Sequence, residues 1–364
     1  MKRFLLCFYI VSVLLSLVGC YDYKEINDTA MVAGIAIDVA EAGQYRVSVE
    51  VIVPGESDSS SPKGKVLYEV GPTVEICLKK TVNTAAKQLQ FSHCKIVVFS
   101  DEILNLGIAD HLDYFLRNPE YRGDLYLAAV NGSASEMLAA GEKEARIASY
   151  DYVSVIENSY EETGAVPGTK LYQTTMDYGL SLLPRFSEKD GKYAVTGSFG
   201  IRDGKKFAEI DLPMTQSILL LSGEYQRGEL SLKTQDGIDV PCQIRVVNVD
   251  RRILEGTEVV LEVHLECDIL LTTLPQGFDI STETAMEKTE EKVAQLLTET
   301  LEHHWDLAKR MGIQQIFGAD IYCYRHAPEL YFERIANGDT SIRPHPVCIV
   351  QLSNFGFSNE RVTE

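Results

Sequence analysis

The sequence predicts a mixed α/β protein of the α+β class, with antiparallel or mixed sheets, packed helices and a long helix near the C-terminus. Three observations predict it. The 364 residues exceed the roughly 100–200 of a single domain, which implies two or three. Apolar residues recur with period two in some segments and with helical period in others. A hydrophobic fraction of 45% with 24% charged residues is enough to bury a core and excludes global disorder.

The elements follow in chain order. Lys2 and Arg3 precede an apolar run from Phe4 to Val18, shorter than the about 20 residues that span a bilayer. Residues 1–19 therefore read as a secretory signal peptide. The run ends in Leu17-Val18-Gly19-Cys20, which resembles a bacterial lipobox, so Cys20 is the expected site of diacylglycerol attachment. Two acyl chains hold a protein stably where one does not. Ala30 to Asp38 reads as a strand, and Tyr45, Val47, Val49, Val51 and Val53 alternate with Arg46, Ser48, Glu50 and Ile52, as in a half-buried strand; Ala42-Gly43 is the turn between them. Gly55 to Gly64 is Ser-rich and reads as a surface loop.

From Thr73 the positions Val74, Cys77, Leu78, Val82, Ala85, Ala86 and Leu89 share one helical face. Ile96 to Phe99 is an uninterrupted apolar strand, followed by a start signal at Ser100-Asp101-Glu102 and a helical segment to Leu116. Leu125 to Val130 is a further strand, Ser133 to Ala140 a helix, and residues 150–187 a helix followed by a linker. The character then turns to β, with strands at Tyr193 to Ile201, Ile218 to Leu221, Leu230 to Thr234 and Ile244 to Val249. The longest strand carries Val259, Leu261, Val263, Leu265, Cys267, Ile269 and Leu271 on its core face. Residues 283–311 carry the long helix, and Leu330 to Ile335 and Val347 to Leu352 a last helix and strand. The expected division is 1–19 signal peptide, 20–187 N-terminal α/β domain with linker, 188–237 β-rich middle domain and 238–364 C-terminal α+β domain.

Charge and motifs limit the chemistry. With 34 Lys+Arg against 53 Asp+Glu the formal net charge is −19. Nucleic-acid affinity comes mainly from clustered Lys and Arg, so no nucleic-acid partner is expected. An acidic body is also repelled by anionic headgroups, so attachment to a membrane must be apolar or covalent. The sequence has no GxSxG, GxxxxGK[ST], HExxH or GxGxxG motif. His303-His304 reads as part of a solvated helix face, His264 as a surface partner of Glu262 or Glu266, and His93 as turned away from Cys94. Cys77, Cys94, Cys242, Cys267, Cys323 and Cys348 lack metal-binding spacing and read as buried free thiols. No catalytic residue, cofactor or metal is expected, and a scaffold or receptor component fits better than an enzyme.

Short landmarks then occur in order. Gly19-Cys20-Tyr21-Asp22-Tyr23-Lys24-Glu25-Ile26-Asn27, Gly34-Ile35-Ala36-Ile37-Asp38, Lys95-Ile96-Val97-Val98-Phe99-Ser100-Asp101-Glu102 and Leu116-Arg117-Asn118-Pro119-Glu120-Tyr121-Arg122 resemble those of the Ger(x)C family, the lipoprotein C subunits of spore germinant receptors. Thr196-Gly197-Ser198-Phe199, Glu255-Gly256 and Gln315-Ile316-Phe317-Gly318 resemble later landmarks. The resemblance implies a three-domain protein on the outer leaflet of the spore inner membrane. There it would work with the A and B subunits of a nutrient receptor as a non-catalytic assembly or coupling component. The turn formed by Arg117, Asn118, Pro119, Glu120 and Arg122 is either a contact or an internal salt-bridged corner. The alternative function is a solute-binding lipoprotein of an importer, with two lobes about a hinge.

Overall fold

The computed structural model describes residues 9, 28–55, 61–122, 125–162, 180–336 and 342–352. The expected signal peptide and Cys20 lie outside these residues. The chain builds two sheets. The larger has nine strands: β1 (Thr29–Val39), β2 (Tyr45–Val53), β3 (Lys63–Gly71), β4 (Gln88–Gln90), β5 (Ile96–Ser100), β6 (Tyr126–Val130), β7 (Leu180–Lys189), β8 (Lys192–Arg202) and β9 (Lys205–Asp211). Their order is β3-β2-β1-β5-β6-β7-β8-β9, with β4 beside the start of β1. β1, β5, β6 and β7 run parallel, and antiparallel hairpins flank them on both sides.

Helices cover both faces of the parallel strands, which explains the uninterrupted apolar run Ile96 to Phe99. Val97 and Phe99 pack with α1 (Val74–Thr84), α2 (Asp101–Leu106) and α3 (Ala109–Arg117). Ile96 and Val98 pack with α4 (Ala134–Lys143) and α5 (Ala148–Glu162). This double cover changes the reading of β2. Its polar residues Ser48 and Glu50 are fully buried beneath α4 and α5, not turned to solvent.

The smaller sheet has the order β10 (Arg227–Lys233), β11 (Asp239–Glu255), β12 (Val259–Leu271) and β13 (Arg343–Leu352). The core face of β12 packs against α7 (Glu283–Met311), whose Val293, Leu296, Leu297, Leu301, Trp305 and Ala308 are buried. Pro344 and Pro346 in the outer strand β13 have no N–H to offer a further strand, and the Leu352 N–H donates to Glu290 Oε1 at 2.8 Å. Between the sheets lies α6 (Leu212–Ser222), buried from Met214 to Leu221.

The α+β class and the 283–311 helix stand as expected. Five local expectations change. Residues 218–221 are helix, because Asp211 caps the Met214 N–H at 3.0 Å, Pro213 sits in the first turn and Gly223, at φ 76°, ends it. Residues 180–187 are not linker but strand, so position 187/188 falls inside β7. Lys63–Gly71 forms a third strand beside β2. The first helix stops at Thr84, and Gln88–Gln90 pairs with β1. Gly107, at φ 121°, splits the 101–116 segment into α2 and α3.

One core joins the two sheets. Leu180 and Leu182 of β7 and Ala208 and Ile210 of β9 belong to the same hydrophobic cluster as α6, the small sheet and α7.

Candidate functional site

The turn after α3 is a rigid corner. Asn118 takes an extended conformation, as a residue before proline must, and its N–H still donates to the Tyr114 carbonyl at 3.2 Å. Its Oδ1 accepts the Glu120 N–H at 3.0 Å and its carbonyl accepts the Tyr121 N–H at 3.2 Å. Tyr121 is the pin. Its ring is buried against Phe91 at 5.4 Å, Tyr114 at 6.2 Å and Phe115 at 5.0 Å, and burial pushes its hydroxyl pKa well up. Arg117, Pro119, Glu120 and Arg122 remain exposed, and Asn118 is half-buried. The five expected residues thus share one corner, while Arg117 pairs with Asp113 one helical turn back, Nε to Oδ1 at 2.6 Å.

Topology fixes where that corner points. It precedes β6, which runs parallel to β5 and β1, so it lies at the amino ends of the parallel strands. Phe91, its ring partner, directly follows β4, and Gln88 of β4 pairs with Thr29 at the start of β1. The corner therefore sits at the end of the sheet where β1 begins.

Two buried carboxylates escaped the sequence reading. Asp38 accepts the N–H groups of Ala134 at 2.7 Å and Ser135 at 2.9 Å, and the Ser135 hydroxyl as well. Ser135 Oγ also lies 2.8 Å from Ser48 Oγ. Glu50 accepts the N–H groups of Ala148 at 2.7 Å and Ser149 at 2.8 Å. Each carboxylate closes a helix N-terminus with charge-assisted bonds, Asp38 that of α4 and Glu50 that of α5. Burial raises the Glu50 pKa above its ordinary value, against the lowering effect of the Ser149 and Ala148 bonds. These groups clamp helices to the sheet. Their signal in the sequence is an acidic residue within each of two largely apolar strands.

The remaining titratable groups have structural surroundings. His303 is exposed, but His304 is half-buried, with Nδ1 2.7 Å from Ser217 Oγ of α6, and burial lowers its pKa. The expected solvated face therefore holds for His303 and not for His304, which faces a neighbouring helix. His264 Nε2 lies 2.7 Å from Glu262 Oε1. His93 is exposed while Cys94 is buried, its thiol pushed up to about 12. Cys77, Cys94, Cys242, Cys267 and Cys323 are free and buried, and Cys348 is free and half-buried. Among the described residues no group of three or more His, Cys, Asp or Glu side chains is placed to hold a metal ion. None of their helices is long and apolar enough to cross a membrane.

The family described as "Spore germination protein N-terminal domain" matches residues 22–182. Spore germination protein A3 of Bacillus subtilis (strain 168) is 24% identical over 254 residues, covering 65% of this chain and 65% of that protein. Spore germination protein GerQC of Bacillus cereus is 25% identical over 244 residues, 64% of each. Spore germination protein B3 of Bacillus subtilis (strain 168) is 26% identical over 131 residues, 35% of each. The chain thus matches less than two thirds of the length of these relatives. The crystal structure of the GerBC protein has the same fold, with a TM-score of 0.56 at 15% identity, covering 88% of this chain and 97% of that one. The helices on both faces of a nine-stranded sheet and the four-stranded sheet agree with these likenesses: residues 22–182 belong to the spore germination protein N-terminal domain family, and the fold is that of the GerBC protein.

Proposed function

We propose that this protein is the lipid-anchored C subunit of a spore germinant receptor, a non-catalytic component that assembles or couples the A and B subunits at the outer leaflet of the spore inner membrane. The observation that carries the reading is the family match over residues 22–182, which starts two residues after the lipobox Cys20. The relatives are spore germination proteins by name, which supports a part in germination. The described titratable groups support a binding role rather than catalysis, since the buried carboxylates cap helices and the buried thiols are held protonated.

The test is Cys20→Ala in the producing spore. The variant is expected in the soluble fraction, with nutrient-triggered germination impaired. Normal germination with the variant released from the membrane contradicts the anchoring. The importer reading predicts hinged lobes and tight solute binding by the isolated chain. The cluster that runs from β7 and β9 through α6 into the small sheet favours one packed body instead. Calorimetry with amino acids and sugars separates the two, no heat being expected from this chain alone.

A further inference from the structure

Around the carboxyl ends of β5 and β6 gathers a polar cluster that the proposed function does not use. Asp101 follows β5, Asn131 and Gly132 follow β6, Arg185 lies in β7, and Lys206 and Glu209 lie in β9. Glu209 is ion-paired with Arg185, whose side chain is 11% exposed, and Asp101 Oδ2 lies 3.7 Å from Lys206 Nζ. Both carboxylates are held by a cation. Glu209 Oε1 accepts from Asn131 Nδ2 at 3.3 Å, and Asp101 Oδ1 accepts the Gly132 N–H at 3.5 Å.

Asn131-Gly132 is a chemically labile pair. Asparagine is lost when the backbone nitrogen of the next residue gives its proton to hydroxide and attacks the side-chain Cγ. A Cγ–N bond forms, the Cγ–Nδ2 bond breaks, and ammonia leaves with a proton taken from water. Water then opens the cyclic imide to aspartate or to isoaspartate. A glycine in second place leaves the attacking nitrogen unshielded. Asn131 and Gly132 are both exposed, and a Cβ added at Gly132 meets nothing within 4 Å, so packing alone does not prevent closure. The position is a sensitive one. Isoaspartate lengthens the main chain between the Asn131 N–H, bonded to the Phe186 carbonyl at 3.0 Å, and the Ala134 N–H, bonded to Asp38 at 2.7 Å. Either product adds a third carboxylate beside Asp101 and Glu209.

We propose that Asp101 and Glu209 guard Asn131 against this reaction and so preserve the junction of β6 with α4. Each acts on one of the two groups that must change. Glu209 holds the amide that has to leave, so turning Cγ onto the Gly132 nitrogen breaks a bond to a carboxylate. Asp101 sets a negative charge beside the Gly132 N–H, which disfavours loss of its proton, while Lys206 faces the other oxygen. Arg185 and Lys206 are the positioning residues of the pair.

The experiment keeps the full chain folded in mildly alkaline buffer and follows Asn131 by peptide mass mapping that separates aspartate from isoaspartate. Asn337-Gly338, the other such pair in the sequence, serves as an internal clock. Asp101→Ala and Glu209→Ala are each expected to convert Asn131 about five-fold faster than the native chain, as the loss of one modest hydrogen bond implies, with the clock unchanged. Leu220→Ala, which weakens the core in α6 without touching the cluster, is expected to leave the Asn131 rate at its native value. Native rates in both guard variants overturn the proposal. Equal acceleration in Leu220→Ala overturns it too, because conversion then follows general loss of stability. A native chain whose Asn131 converts as fast as that of a urea-unfolded chain shows that nothing guards it.

Discussion

Single residues hold the helices of the large sheet in place. Asp38→Ala strips the caps from the Ala134 and Ser135 N–H groups at a buried site and is expected to cost about 2–3 kcal/mol in urea unfolding. Glu50 gives a pH signature. Its pKa is raised by burial, so the folded chain keeps a proton that the unfolded chain releases near pH 4.5. The folded state then binds more protons, and the Glu50 contribution is full below that pH and is lost as pH rises through its raised value. The stability difference between the native chain and Glu50→Gln is expected to shrink over that window; a difference that grows with pH contradicts the assignment. The thiols of Cys94, Cys242 and Cys267, pushed up to about 12 by burial, are expected to resist thiol reagents at pH 8 until the chain unfolds. Rapid labelling of the native chain would refute their burial. Asp38 and Glu50 could not be placed from the sequence, because period two shows that two residues share a face and not whether a helix covers it.

At the scale of elements, α6 shows what local pattern can and cannot specify. Ile218-Leu219-Leu220-Leu221 is a short apolar run, and such a run fits a buried strand and a buried helix equally by periodicity. The deciding signals lay on either side, Asp211 and Pro213 before it and Gly223 after it. Leu220→Ala, at a fully packed position of that helix, is expected to cost about 3 kcal/mol in chemical denaturation. A loss near zero would mean that the helix is not part of the core. The 29 residues of α7 were legible because its stripe repeats over many turns between a Thr282 cap and Gly312. β3 was not, since Lys63, Lys65 and Glu69 leave Val66, Leu67 and Val70 in no strict alternation. The 117–122 corner was found as a turn from its proline. The aromatic pin at Tyr121, which makes it rigid, depends on Phe91, thirty positions earlier in the chain.

For the whole molecule, the shared cluster between the two sheets predicts that they unfold together. Circular dichroism and Trp305 fluorescence should report coincident transitions, Trp305 lying in the small-sheet core. Separate midpoints would show that the sheets are independent. Likeness to the Ger(x)C family was legible from ordered landmarks spread along the chain: Lys95–Glu102 carries a strand into a helix start, Leu116–Arg122 is the corner after α3, and Gly34–Asp38 lies inside the central strand β1. The most direct test of the lipid-anchored receptor subunit is the intact mass of the mature protein extracted from membranes. The account predicts a chain beginning at Cys20 and heavier than its sequence by a diacylglyceryl group; a mature chain with an unmodified thiol at that position, recovered free of lipid, would contradict it.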